Sequence, residues 1–419
     1  GFTYTSGTIT INAENVTVEN VTFGDGARLE VNTPGRFTLK NCTFNGKTEV
    51  RTPVTLNVGS ATVTGNTFNG TKEDGTPSYY NAIEFAVSSG NKLSSATLSN
   101  NIFEAAIKNN YFSTYYYADN AVITAENNVI KLANRGSNAI RISNVTNSNV
   151  TFNLNNNSYE FSDASGSSEY EGFIILQDFT KKSGNTEDFS KVTINISNLT
   201  SPSDASRLFY VWEDSVGLVS DNNPVIKGDS SIEKFFTAKV GDTYYKTLAD
   251  AVAAAKNDET VTLLKNAETT VELSFTNKAI TLDLNGKTVS GTFTDNFSVI
   301  EAGEDASLTV QDTSVAGTGK IASNKYGISA RDGGALIVKS GTIESEYAPL
   351  SGNNTAGDMN FTVNGGTLTA KHGPAIYMPG QVNLSITDGV LNGGISLRMG
   401  QVSISGGTIN AATDGLDSP

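Results

Sequence analysis

The chain has 419 residues and a net charge of −14; 17% of its residues are charged and 37% hydrophobic. Its Lys and Arg residues form no cluster, so it lacks the positive stripe that displaces counterions in a nucleic-acid groove, and no run of about 18 apolar residues is present to cross a membrane as a helix. A single cysteine, Cys42, and a single histidine, His372, exclude an internal disulfide, a cysteine or multi-histidine metal cluster and any mechanism that needs two histidines.

Glycine, with 40 residues, dominates alongside Asn, Thr and Ser. Val, Ile, Phe and Tyr fill much of the remainder, which favours strands. The apolar fraction is low for a globular domain but suits a solenoid, in which one strand face per repeat fills a narrow core. No charged and apolar leader stands at Gly1, so a signal peptide is expected to be absent from this stretch.

From the N-terminus a short phrase recurs: Asn20-Val-Thr-Phe23, Asn41-Cys-Thr-Phe44, Gly65-Asn-Thr-Phe68, Asn100-Asn-Ile-Phe103, Asn127-Asn-Val-Ile130 and Asn156-Asn-Ser-Tyr159, with a weaker copy at Ser197-Asn-Leu-Thr200. Three short strands and three turns need roughly 20–25 residues at about 3.3 Å per residue, so the longer intervals carry loop insertions. Each phrase follows an alternating strand such as Phe37-Thr-Leu-Lys40 or Val150-Thr-Phe-Asn-Leu154, with one face inward and one outward. The turn Asn tolerates left-handed backbone angles, and its amide is expected to bond to the equivalent Asn one repeat above. Phe23, Phe44 and Phe68 are expected to form a buried column. Cys42 is read as a small packing residue.

A second strand set lies upstream of each phrase. Aligning Ile83, Ile107, Ile140, Ile174 and Phe209 inward places Glu84, Lys108, Arg141, Ile175 and Tyr210 outward, one above another. Opposite charges on stacked strands pair for about 0.2–1 kcal/mol each. The same strip also offers Glu84 as an acid and Arg141 as a binder of an anionic sugar. Aromatic residues cluster in the insertions: Tyr79 and Tyr80, then Tyr111, Phe112, Tyr115, Tyr116 and Tyr117, then Tyr210 and Trp212 beside Glu213 and Asp214. Such rings either cover the side of the solenoid or stack on sugars and anchor partners.

The rhythm breaks over 231–290, so two domains are expected, 1–230 and 231–419. Ala249–Lys256 reads as a helix, with Thr247 as N-cap, Asp250 three residues on and an apolar face of Leu248, Val252 and Ala255. A helix of this kind is expected to cap the solenoid that follows. A second repeat then runs through Gly319-Lys-Ile321, Gly341-Thr-Ile343, Gly366-Thr-Leu368, Gly389-Val-Leu391 and Gly407-Thr-Ile409. Glycine fits a corner that needs positive φ or close backbone approach. The last copy stands near Pro419, which predicts further repeats beyond it. Tyr347, His372, Tyr377 and Arg398 fall at similar offsets on successive repeats, a candidate shallow binding face.

These patterns resemble the pectin-lyase-like right-handed parallel β-helix superfamily. The second half, through Gly241-Asp-Thr-Tyr-Tyr-Lys-Thr-Leu-Ala-Asp-Ala-Val252, Leu282-Asp-Leu-Asn-Gly-Lys-Thr288 and Gly406-Gly-Thr-Ile409, is similar to adhesin-like surface proteins of Gram-positive bacteria. The resemblance implies an all-β, right-handed parallel β-helix and an extracellular setting, cell-surface or secreted. It does not transfer a reaction. The Gly-His-Gly and paired aspartates of polygalacturonase-like members are absent: His372 sits in Lys371-His-Gly-Pro374, and Arg141-Ile-Ser143 lacks the Lys of an Arg-Ile-Lys triplet. No pectate-lyase-like calcium set stands out either.

Asp221-Asn-Asn-Pro224 and Ala330-Arg-Asp-Gly-Gly334 match no repeated calcium motif and read as turns, so neither metal nor cofactor is expected. Asn-Xaa-Ser/Thr sequons such as Asn15-Val-Thr17 coincide with the repeat and are read as structural. Three functional readings follow: a non-enzymatic surface protein binding a glycan or a host or cell-surface protein, which the missing enzyme motifs favour; a polysaccharide lyase or glycoside hydrolase working in a groove along the strands; and a spacer without ligand.

Overall fold

The computed structural model describes residues 1–86, 90–104, 107–143, 145, 148–163, 165, 171–177, 189–211, 224–352 and 358–411, with the backbone alone at 107–111. The chain is all-β, with long parallel ladders compatible with a β-helix solenoid, and divides into two compact units, Gly1–Phe235 and Phe236–Pro419.

In the first unit each repeat contributes to three parallel ladders. The short strands of the Asn phrase pair Phe23 with Phe44, Phe44 with Phe68, Phe68 with Phe103, Phe103 with Ile130 and Ile130 with Tyr159. The four phenyl rings stack at centroid distances of 4.5, 4.7 and 5.0 Å, nearly parallel, and all are buried. The spacing matches that of neighbouring strands, so strand pairing and ring stacking enforce the same register. Each buried ring adds about 1.5–3 kcal/mol of hydrophobic stabilisation.

The turn before each ring divides its work between two residues. Asn20, Asn41, Asn100, Asn127 and Asn156 take φ between 52° and 60°, as does Gly65 at 66°. After Asn20 comes the half-buried Val21; the residue after each of the others is buried: Cys42, Asn66, Asn101, Asn128 and Asn157. The amide Nδ2 of Asn66 donates to Asn101 Oδ1 (3.0 Å), that of Asn101 to Asn128 Oδ1 (3.0 Å) and that of Asn128 to Asn157 Oδ1 (2.9 Å). The backbone N–H of each donor residue reaches the same acceptor, and the Cys42 N–H ends the row on Asn66 Oδ1 at 2.9 Å. Left-handed geometry and amide ladder were expected of one Asn; consecutive residues share them because a left-handed residue at the surface turns its successor inward.

The upstream strands pair Leu29 with Val54, Ile83, Phe112, Ile140, Ile174 and Phe209 in turn. The inward position after Ile83 therefore belongs to Phe112, and the outward one to Ser113. Ile107 instead sits opposite Tyr79, with a register irregularity before Asn110. The alignment of Ile107 with Ile83 and of Lys108 with Glu84 fails because the strand continues to Thr114 and Phe112 fills the column. Ser230–Phe235 closes this unit as a 3-10 helix, tied by Ser231 Oγ, which accepts from Leu199 N at 3.0 Å.

The second unit begins with an antiparallel hairpin, Ala238–Val240 against Thr243–Tyr245, turning at Gly241 with φ 54°. The helix spans Leu248–Ala254, with Thr247 Oγ1 accepting from Asp250 N at 3.1 Å and donating to Asp250 Oδ2 at 2.7 Å. Leu248, Ala251, Val252 and Ala255 are buried. Lys278 Nζ meets the open C-terminal carbonyls of Val252, Ala253 and Ala255 at 2.9, 3.2 and 2.6 Å, the end where a cation is favoured.

Three parallel ladders follow. One stacks Leu282, Val310, Val338, Val363, Ile386 and Ile404; another Val289, Ile321, Ile343, Leu368, Leu391 and Ile409; the third Leu273, Ile300, Ile328, Leu350, Ile376 and Ile395. Gly341, Gly366, Gly389 and Gly407 turn the corners with φ of 81° to 109°. Gly319 has another reason: a Cβ there would lie 2.5 Å from Asp312 and 2.6 Å from Leu284.

Candidate functional site

In the first unit the outward column reads Thr55, Glu84, Ser113, Arg141, Ile175 and Tyr210. It is not an open strip. Glu84, Ser113, Ile175 and Tyr210 are all buried. Asn81 Nδ2 donates to Glu84 Oε1 at 2.6 Å, Tyr115 OH donates to the same oxygen at 3.2 Å, and Arg141 donates to Tyr115 OH at 2.5 Å. The Arg141 guanidinium also lies 5.0 Å from the centre of the Tyr115 ring. Burial pushes the Tyr115 phenol above its ordinary range, against the pull of Arg141. The carboxylate and guanidinium are thus joined through a phenol in one hydrogen-bonded group.

Tyr117 is core: it is 2% exposed, pairs with Leu93 and packs edge-on to Phe152 at 6.1 Å. Tyr116 is half-buried. Trp212, Glu213 and Asp214 lie outside the described residues, as do the side chains of Lys108 and Tyr111. A second ion group, built on the buried Glu171 and unforeseen in the sequence, joins three loops. Arg135 bridges Glu171 at 2.5 Å and also Asp204, and its guanidinium stacks over Phe161 at 5.0 Å. Glu171 is fully buried and accepts the Ser206 N–H at 2.8 Å. These contacts fasten the insertions to the sheet.

The second unit has a matching column, in which Glu301, Ser329 and Ser351 are buried and the flanking Tyr347 is exposed. The outward partners of its third ladder are Ser274, Glu301, Ser329, Ser351, Tyr377 and Ser396. Beside them stand Tyr326, two residues before Ile328 on the same strand and paired with Ser298, and Tyr347 at the corner before Leu350, with ring centroids 5.5 Å apart. Tyr377 lies near enough to oppose ionisation of Tyr326, whose phenol is pushed up first by burial and then by Tyr377 and Tyr347. Tyr347 is 39% exposed, with Lys325 Nζ 6.0 Å from its ring. The hydroxyls of Tyr326, Tyr347, Tyr377 and Ser351 have no hydrogen-bond partner among the described residues.

At one end of the strip lies a carboxylate pair. Burial holds the Glu301 carboxyl above the usual range, with Glu272 adding to the shift and Arg331 opposing it from 2.8 Å. Glu272 Oε1 accepts from the N–H and hydroxyl of Ser298 at 2.8 and 2.5 Å, and the Ser298 hydroxyl also meets that of Ser329.

Of the four residues expected at one offset, His372 lies against the segment of Tyr347, its N–H donating to Glu346 O at 2.8 Å. His372 is largely exposed and lies 3.2 Å from Glu346, which also faces Lys371 at 3.5 Å. Tyr377 belongs to the next strand. Arg398 is exposed at a register irregularity between Leu397 and Met399, so it joins neither column. Sequence reasoning missed Tyr326, Ser351, Glu301 and Arg331. The available signal was the polar residue after each inward Ile or Leu: Ile300-Glu301, Ile328-Ser329, Leu350-Ser351 and Ile376-Tyr377.

Cys42 is buried, its thiol pushed up by that burial, and its Sγ lies 3.3 Å from Lys40 O. Among the described residues no three His, Cys, Asp or Glu side chains converge in a metal-holding group, and no helix is long and apolar enough to cross a membrane. Asp332 holds a positive-φ turn, as expected of Ala330–Gly334, while 221–223 lie outside the described residues. No family model, curated protein or solved structure matches the chain, so the resemblance to pectin-lyase-like proteins rests on the sequence patterns alone.

Proposed function

We propose that the chain is a right-handed parallel β-helix from an extracellular bacterial surface protein, that the helix Leu248–Ala254 caps the stack of the second unit, and that this unit binds glycan without transforming it. One observation carries the binding reading: Tyr326 and Tyr347 hold their rings 5.5 Å apart, and Tyr377, paired with Ser351, lies near enough to act on Tyr326. Sugars present apolar ring faces ringed by hydroxyls, and tyrosines with small polar neighbours answer both. The first-unit candidates Glu84, Tyr115 and Arg141 are bonded to one another and support this reading less well.

The test is a glycan array probed with the wild-type chain and with Tyr347→Ala/Tyr377→Ala, both checked for intact β circular dichroism. Binding by the wild type that is lost in the folded variant supports the site. Binding that survives removes it, and an empty array favours a protein partner or a spacer. A hydrolytic reading has one observation in its favour, the Glu301–Glu272 pair with one carboxyl raised by burial. Release of sugar product, abolished by Glu301→Gln, would replace the non-enzymatic reading.

A further inference from the structure

We infer that the last described repeat of the second unit is an interface at which two copies of this chain meet about a two-fold axis; the inference goes beyond ligand binding and rests on the solenoid winding proposed above. The strands at this edge have one side open. Among the described residues, Ile395–Ile404 and Thr408–Asn410 pair only with Ile376–Asn392. Val402, Ile404 and Ile409 are 49, 51 and 39% exposed, whereas their partners Leu384, Ile386 and Leu391 are at most 2% exposed. Met399 is exposed beside them. Core columns therefore reach the surface together with the unpaired backbone groups of their strands.

Sheets commonly guard such an edge with charge or proline. Here that guard is thin: Gly389–Ala411 contains no proline, and Arg398 is its one charged residue. On a chain of net charge −14, an edge without carboxylates is where a second copy is least repelled.

Shape selects the two-fold. A winding chain climbs one strand spacing, about 4.8 Å, per repeat. The edge is then a ramp, lowest at Ile395, a third higher at Val402 and two thirds higher at Ile409. A copy turned over about an axis through Ser403 sets its Val402 against Ile404, its low Ile395 against the high Ile409, and its Ile409 against Ile395. High meets low and middle meets middle, so the three gaps are equal and the two ramps close on each other. The Gln401–Ser405 segments run antiparallel across the axis, with apolar residues inward in both copies. A contact of this kind uses the same patch twice and stops at two copies.

The experiment is sedimentation velocity of the full chain over a wide range of concentration, in which a monomer–dimer equilibrium is expected. Ile404→Lys, checked for intact β circular dichroism, is expected to weaken the dimer about a hundredfold or more, because it places an unpaired cation in each half of an apolar contact. Ser403→Cys should link two copies through a disulfide under mild oxidation. Ser396→Cys, exposed on the third ladder and facing the second ladder of the other copy, should stay unlinked. A monomer at every concentration, or a dimer indifferent to Ile404→Lys, would overturn the inference. Species that grow beyond two copies would overturn the two-fold. Deleting 412–419, which lie outside the described residues, should leave the dimer unchanged. A dimer gained only on that deletion would make the segment the occupant of the edge and overturn the second copy.

Discussion

Replacing Asn101 by Ala tests the division of labour in the turns. Asn101 is fully buried and its amide makes four hydrogen bonds: Nδ2 donates to Val63 O and Asn128 Oδ1, and Oδ1 accepts from the N–H and Nδ2 of Asn66, all at 3.0 Å. Alanine leaves two Asn66 donors without their acceptor. A buried orphaned group costs about 1–3 kcal/mol, so the donors alone predict a loss of about 2–6 kcal/mol. Its neighbour Asn100 works through its backbone, at φ 55°. Asn100→Ala should cost about 1–2 kcal/mol, and Asn100→Gly much less, because glycine carries no left-handed penalty. The assay is urea unfolding followed by fluorescence of the one tryptophan, Trp212, which belongs to the first unit. A loss below about 1 kcal/mol for Asn101→Ala, or equal losses at the two asparagines, would refute the ladder as the source of stability.

Two further outcomes follow from burial and charge. Tyr117→Ala should act as a core truncation, costing about 3–5 kcal/mol in the same assay, whereas Tyr116→Ala should cost far less; a stable Tyr117→Ala protein would place that ring outside the core. The Asp312 carboxyl is held below its ordinary value of 3.8: burial works against this, but N–H groups of Gly319 and Gly286 at 2.6 and 2.8 Å, with Ser314, outweigh it. Its contribution is therefore present above about pH 4 and lost as pH falls through the depressed value. Urea midpoints of Asp312→Asn should depend less on pH below about 4 than those of the wild type, and parallel curves would contradict the assignment.

Repeats were legible because solenoid packing writes itself into the sequence. Phe23, Phe44, Phe68 and Phe103 stand in column as their phrase required, and Thr247 caps the one α-helix described. Where insertions interrupt the repeat, alternation alone did not fix the register. Ile107 and Phe112 are both apolar at plausible positions, and only pairing on both sides selects Phe112. Outward also did not mean exposed: Glu84 and Tyr210 are buried, and alternation along one strand holds no record of what packs on its outer face. The second-unit face was half visible. Tyr347 and Tyr377 drew notice as aromatics, whereas Ser329 and Ser351 look like ordinary strand residues until stacking sets them in line.

Registry is tested most directly by cross-linking. Thr38 and Thr62 are paired, partly exposed neighbours one repeat apart, and Thr64 lies two residues further along the same face. With strands about 4.8 Å apart and a rise of about 3.3 Å per residue, the Cα atoms of Thr38 and Thr62 fall within disulfide range, and those of Thr38 and Thr64 fall beyond about 7 Å. Mild oxidation should close Thr38→Cys/Thr62→Cys in the folded chain and leave Thr38→Cys/Thr64→Cys open, as read by mass spectrometry of the digested protein. Efficient closure of the second pair, or failure of the first, would contradict the stacked register on which the fold and the proposed face depend.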